Sequence, residues 1–233
     1  MSEVQKNVII TGAAGNLGKA AVAKFVADGY RVIATVEPGR GLGYHVPDTV
    51  SVHPVDLQDE TSAADFVAKI TTTFTTIDAA LLLVGGFGGG NISTVSGKDI
   101  RKLIALNFET AFFVARPVFG QMLKQENGGR IVLVGARAAL EPDMGKNFIA
   151  YSLSKSLLFE FAELLNAEGA SRKVVTSVIV PSTIDTPANR AQMPKADFSK
   201  WVLPEKIAEV MAFIVSDKAS AVSGTVLKVY GTA

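Results

Sequence analysis

A tyrosine and a lysine stand four residues apart in the run Tyr151-Ser-Leu-Ser-Lys155, which contains no glycine or proline. On a helix those two positions share a face, with Cβ atoms about 5–6 Å apart. Free tyrosine titrates near 10 and is a poor proton carrier at neutral pH, whereas a nearby ammonium favours its ionised form. Such a pair could work together on one small molecule, or could simply share a surface. On a bare surface it would do nothing.

A second group of residues supplies the setting. The segment VIITGAAGNLGKA carries Gly12, Gly15 and Gly18 between an apolar run and an amphipathic one. Glycine permits positive φ and close approach of backbone N–H groups to a pyrophosphate, and the helix that follows offers free donors and a positive dipole end. Gly12, Ala14, Gly15, Asn16, Leu17 and Gly18 are therefore the expected phosphate cradle of a dinucleotide. Glu37 follows the second apolar run, about 20 residues on, where an acidic side chain bonds the adenosine ribose hydroxyls and repels a 2′-phosphate. Glu37 favours NAD(H). Arg40, three residues later, keeps NADP(H) open, because arginine pairs with phosphate. Asp56 and Leu57 are candidates to border the adenine. The glycine-rich loop GGFGGG, from Gly85 and Gly86 onward, is too short for a linker and is expected beside a ligand.

These groups need a scaffold. Apolar, β-branched runs at Val8–Thr11, Arg31–Val36, Val50–Pro54, Ala79–Val84, Arg130–Gly135, Val174–Val180 and Val226–Tyr230 read as strands. Several are apolar throughout, as strands covered on both faces should be. Leu17–Asp28, Thr61–Thr72, Lys98–Glu126, Ala150–Glu168 and Pro204–Ser216 read as helices. Strand alternating with helix implies one α/β domain over 1–233, a Rossmann-type doubly wound fold with a seven-stranded parallel sheet and helices on both faces. Glycines gather after the first and fourth strands, where such sheets bind ligands.

Composition removes other chemistries. Among 233 residues, 23 are basic and 22 acidic, and the net charge is +1, with no long run of either sign. Nucleic-acid binding needs clustered positive charge and is not expected. There are no cysteines and only two histidines, His45 and His53, so thiol catalysis and a metal site are not expected. The N-terminal apolar run is too short for a signal peptide, and no apolar stretch reaches the roughly 20 residues that cross a bilayer. A soluble cytoplasmic protein without a membrane partner is the expectation.

With TGAAGNLG, LVGG, LNFET and YSLSK in that order, essentially the whole chain resembles the short-chain dehydrogenase/reductase family. That resemblance implies an NAD(P)-dependent oxidoreductase acting on a small molecule. It implies that Tyr151 is the acid/base, that Lys155 binds the nicotinamide ribose and lowers the tyrosine pKa, and that Asn107 of LNFET helps hold a proton-relay water. Pro181 and Ser182, with Thr183 and Thr186, match the segment that lines the nicotinamide pocket. The apolar helices around Asn107 and Tyr151 match the family's subunit interface and imply a homodimer or homotetramer.

The chain departs from the family at one catalytic place. The fifth strand usually ends in serines that polarise the substrate, and here Gly135 and Ala136 stand there. Losing such a donor costs about a hundredfold or more. The branch that includes dihydropteridine reductase shares this departure, and the segments GGFGGGN (85–91), GARAAL (135–140) and TIDTPANRAQMPKADFSKW (183–201) resemble it further. Quinonoid dihydropterin is thus one expected substrate; another activated carbonyl, imine or quinone is the alternative, and a non-catalytic dinucleotide sensor a third reading. Ser182 or Thr183 could replace the missing donor. Phe87 and Trp201 could wall a flat substrate, and Arg137 could meet a substrate anion or Glu141.

Overall fold

The computed structural model describes residues 5–232. Seven strands run in chain order as β1 (Asn7–Ile10), β2 (Arg31–Val36), β3 (Val50–Pro54), β4 (Ala79–Leu82), β5 (Gly129–Val134), β6 (Val174–Pro181) and β7 (Val226–Val229). They form one sheet in the order β3-β2-β1-β4-β5-β6-β7, and every neighbouring pair is parallel. The order reverses between β1 and β4, which opens a crevice above their carboxyl ends. β4 ends before the expected Val84 because the Leu83 N–H leaves the ladder and donates to the Thr11 hydroxyl at 2.9 Å.

Among the described residues, nine α-helices accompany the sheet: α1 (Asn16–Ala27), α2 (Glu60–Thr73), α3 (Gly97–Ile104), α4 (Thr110–Met122), α5 (Arg137–Leu140), α6 (Pro142–Gly145), α7 (Ile149–Gly169), α8 (Pro187–Gln192) and α9 (Pro204–Val215). Their starts follow the local chemistry. Asp59 caps α2 by accepting from Ser62 N at 2.6 Å, Ser96 and Asp99 cap α3 reciprocally, and Pro204 opens α9 where its missing N–H is harmless. One apolar layer packs β-sheet residues such as Ile9, Leu133 and Val178 under α2, α4 and α7; the other packs Val8, Leu81 and Ile179 under α1 and α9.

Two features depart from the sequence reading. The single helix expected over Lys98–Glu126 is α3 and α4 joined by a π-helical turn, Ala105–Glu109, which widens the helix around Asn107. The combined run Gly97–Met122 has 26 residues and is, by length and composition, apolar enough to cross a membrane, contrary to the expectation; 44% of its most apolar window is buried within this fold. Between β2 and β3 the crossover contains no helix. Residues 37–49 form a loop, and Leu42, Tyr44 and Val46 pack on the α1 side of the sheet in a helix's place.

Candidate active site

The cradle forms first. Gly12 adopts φ +65°, a conformation that side chains rarely tolerate, and the chain then doubles back so that Gly18 lies against it. A Cβ at Gly18 would fall 2.3 Å from the Gly12 carbonyl oxygen. The next helix, α1, has no capping side chain and no acid in its first turn. Its first N–H groups and positive dipole end therefore stay available to an anion. Gly12, Ala14, Gly15, Glu37, Asp56, Leu57 and Gly85 border one cavity of about 300 Å³, together with Arg40 and Thr35. Glu37 and Arg40 share a turn, Arg40 N donating to Glu37 O at 3.0 Å. Leu17 packs on the α1 side of the core, and Asn16 opens instead onto a wider groove between α1 and α9.

Across the crevice, α7 presents Tyr151 and Lys155 on one face, as their spacing requires. Lys155 is 5% exposed, and its Nζ donates to the Val134 carbonyl oxygen at the end of β5, 2.7 Å away. Asn107 is equally enclosed. Its Oδ1 accepts from Gly86 N at 2.8 Å, while Nδ2 donates to Gly86 O at 3.0 Å and to Ser154 Oγ at 2.9 Å. Both amide hydrogens are thus held by protein atoms, and the side chain fastens the loop after β4 to α7. Gly85 is wedged between these groups: a Cβ there would lie 2.7 Å from Asn107 Oδ1 and 3.1 Å from Lys155 Nζ. Ser154, which donates to Tyr151 O at 2.8 Å, completes the frame and was missed in the sequence. Its signal was its position inside YSLSK, one turn after the tyrosine.

Burial governs both titrating groups. It pushes the Tyr151 phenol up to about 12, and it pushes Lys155 down to about 8. In the protein alone the phenol pKa is raised by burial, where the family resemblance implied that Lys155 would lower it. The phenol is therefore fully protonated at neutral pH.

The remaining residues sort clearly. Phe87, 60% exposed, sets its ring 5.1 Å from those of Tyr151 and Phe148, so an aromatic wall flanks the phenol. Trp201 packs instead against Phe198, with tilted rings 4.7 Å apart, at the end of the 186–201 loop. Arg137 chooses Glu141, with Nε donating at 2.9 Å, and its guanidinium lies over the Tyr230 ring. Ser182 turns its hydroxyl to Tyr230 O at 2.9 Å and does not replace the missing donor. Pro181 ends β6, Thr183 O accepts from Val202 N, and Thr186 caps α8 through Asn189 N. At the vacated serine positions, a Cβ on Gly135 would lie 2.9 Å from the Phe159 ring, whereas Ala136 is buried at the start of α5.

A family model described as short chain dehydrogenase matches residues 6–197. An acetoacetyl-CoA reductase from Acinetobacter is 28% identical over 99% of this chain and 98% of its own length. A dihydropteridine reductase from Dictyostelium discoideum is 29% identical over 88% of this chain and 86% of its own. A short-chain type dehydrogenase/reductase structure from Mycobacterium ulcerans superposes with a TM-score of 0.90 over 100% of this chain and 90% of that one, at 24% identity.

Proposed function

We propose that this chain, which belongs to the short-chain dehydrogenase family of oxidoreductases, reduces a small substrate that is already electron-poor, with Tyr151 as the proton donor. A nicotinamide dinucleotide held by the Gly12–Gly18 cradle, Glu37 and Lys155 supplies the hydride. The observation that carries the reading is the pairing of a protonated, aromatic-walled phenol with a strand end that bears no hydroxyl. Tyr151 holds the proton at its phenol oxygen, and burial keeps it there up to about pH 12. Lys155 holds a positive charge beside Gly85, where a ribose hydroxyl can accept from it. Asn107 and Ser154 keep that loop and the tyrosine's helix in register. Phe87, backed by Phe148, lies edge-on to the Tyr151 ring and offers an apolar surface beside the phenol.

Nothing at Gly135 or Ala136 polarises a substrate oxygen, so a substrate that must be activated by the enzyme would react slowly. Quinonoid dihydropterin, flat and readily reduced, fits these demands, and the similarity to a dihydropteridine reductase supports it. Glu37 makes NADH the preferred reductant. Exposed Leu153, Leu157 and Leu164 share one face of α7, next to the Phe108, Phe112 and Phe161 rings, and we assign that face to a homodimer at least. A monomeric mass by light scattering at micromolar concentration would overturn the assembly.

The test of function is oxidation of NADH and NADPH with quinonoid dihydropterin, generated in situ, alongside simple ketones and acetoacetyl-CoA. Fast NADH oxidation with the dihydropterin and slow turnover of simple ketones is the expected result. Acetoacetyl-CoA as the best substrate would overturn the dihydropterin assignment. Tight dinucleotide binding without turnover of any electrophile would turn the reading into that of a sensor.

A further inference from the structure

We infer that Tyr44 is a positioning residue for the phosphate cradle, its hydroxyl fixing the Ala13–Ala14 peptide so that the Ala14 N–H is presented to the anionic part of the dinucleotide. The inference rests on the dinucleotide reading above.

Tyr44 lies in the helix-free crossover between β2 and β3, the same loop that carries Glu37 and Arg40. Its hydroxyl donates to the Ala13 carbonyl oxygen at 2.9 Å. The Ala13 N–H is held from the other side, donating to Thr35 O at 3.0 Å. Ala13 is fully buried and both of its polar backbone atoms are committed. In a trans peptide the carbonyl of one residue and the N–H of the next point in opposite directions within one plane. Anchoring the Ala13 carbonyl on Tyr44 therefore turns the Ala14 N–H the other way. Ala14 borders the 300 Å³ cavity, and among the described residues its N–H has no protein acceptor. A backbone donor fixed in this way costs nothing to orient when an anion arrives.

The same bond ties two halves of the site together. The loop that reads the ribose is latched to the turn that binds phosphate, and Lys19 covers the tyrosine ring from α1, with Nζ 5.5 Å from its centre. Burial pushes the Tyr44 phenol up to about 12, which keeps it a donor over the whole neutral range.

Tyr44→Phe removes the hydroxyl and keeps the ring. Titrations of the protein with NADH, NADPH, ADP and adenosine read the consequence. Loss of one neutral hydrogen bond predicts an affinity about three- to tenfold weaker for NADH and for ADP. Adenosine, which lacks phosphate, should change less than about twofold, and the melting temperature without ligand should fall by about 2–8 °C, the cost of one buried carbonyl left without its partner. Leu42→Ala loosens the same loop without touching the hydroxyl and should weaken adenosine and ADP alike. Unchanged NADH and ADP affinity in Tyr44→Phe would overturn the inference while leaving the dinucleotide site intact. Equal weakening of adenosine would reduce Tyr44 to a packing role and overturn it as well. Failure of the unmodified protein to bind either dinucleotide would remove the underlying reading and the inference with it.

Discussion

The side chain of Asn107 pairs with both backbone polar atoms of Gly86, accepting from its N–H at 2.8 Å and donating to its carbonyl oxygen at 3.0 Å. The amide thus acts as one rung of a β-ladder, extending the order of β4 into a glycine-rich loop that has no strand partner there. Its second hydrogen goes to Ser154 and so to the helix bearing Tyr151. One side chain, widened away from its own helix by a π turn, holds both walls of the crevice.

Removing that amide should cost both stability and rate. Asn107→Ala leaves the Gly86 N–H and C=O without their partner, at about 1–3 kcal/mol for each group kept from water. A melting temperature lower by at least about 4 °C, on the scale of about 2–4 °C per kcal/mol for a chain of this size, is expected. Turnover should fall at least about tenfold as Gly85 and Lys155 lose register. A variant with unchanged melting and unchanged kcat would remove the bracing role.

Tyr151→Phe should behave differently. The hydroxyl makes no hydrogen bond to another described residue, so its loss should leave folding and NADH affinity within about twofold. As general acid, however, its loss should lower kcat by about a hundredfold or more. Stopped-flow single turnovers compared with fluorescence titration separate the two. Near-normal turnover would show that another group delivers the proton.

Lys155 sets a pH dependence. Burial lowers its pKa from 10.5 to about 8, so between those values the unfolded chain binds more protons than the folded one, and stability rises with pH. Tyr151 acts in the opposite sense only between 10 and about 12. Melting temperature should therefore climb from pH 8 toward pH 10, and Lys155→Met should flatten that climb. Affinity for the dinucleotide should move the other way, falling above about pH 8 as the ammonium is lost. A flat affinity across pH 7 to 10 would contradict a charged Lys155 at the ribose.

The two vacated serine positions should respond unequally. Ala136→Ser adds a hydroxyl at a buried strand end and should speed reduction of simple ketones by about tenfold or more, by restoring a donor to developing oxyanion charge. Gly135→Ser forces a side chain against Phe159 and Val178, and overpacking of that kind costs about 1–3 kcal/mol. Ketone turnover in Ala136→Ser no better than in the parent would mean that this position does not face the substrate.

The sequence alone determined what is local. Apolar runs alternating with amphipathic ones specify parallel strands and covering helices, the Gly12–Gly18 spacing specifies a tight turn before a helix, and the Tyr151–Lys155 interval places both on one helical face. Each follows from backbone geometry over a few residues. Only the tertiary structure decided what those side chains meet. Asn107 finds Gly86 across 21 residues, and Tyr44 finds Ala13 across 31. Ser182, Arg137 and Trp201 were legible as candidates, but their partners Tyr230, Glu141 and Phe198 are set by where the strand ends and the 186–201 loop come to rest. The direction of the Tyr151 and Lys155 shifts was likewise beyond the sequence. Spacing reveals that two groups are neighbours, whereas desolvation depends on how much of the rest of the chain closes over them.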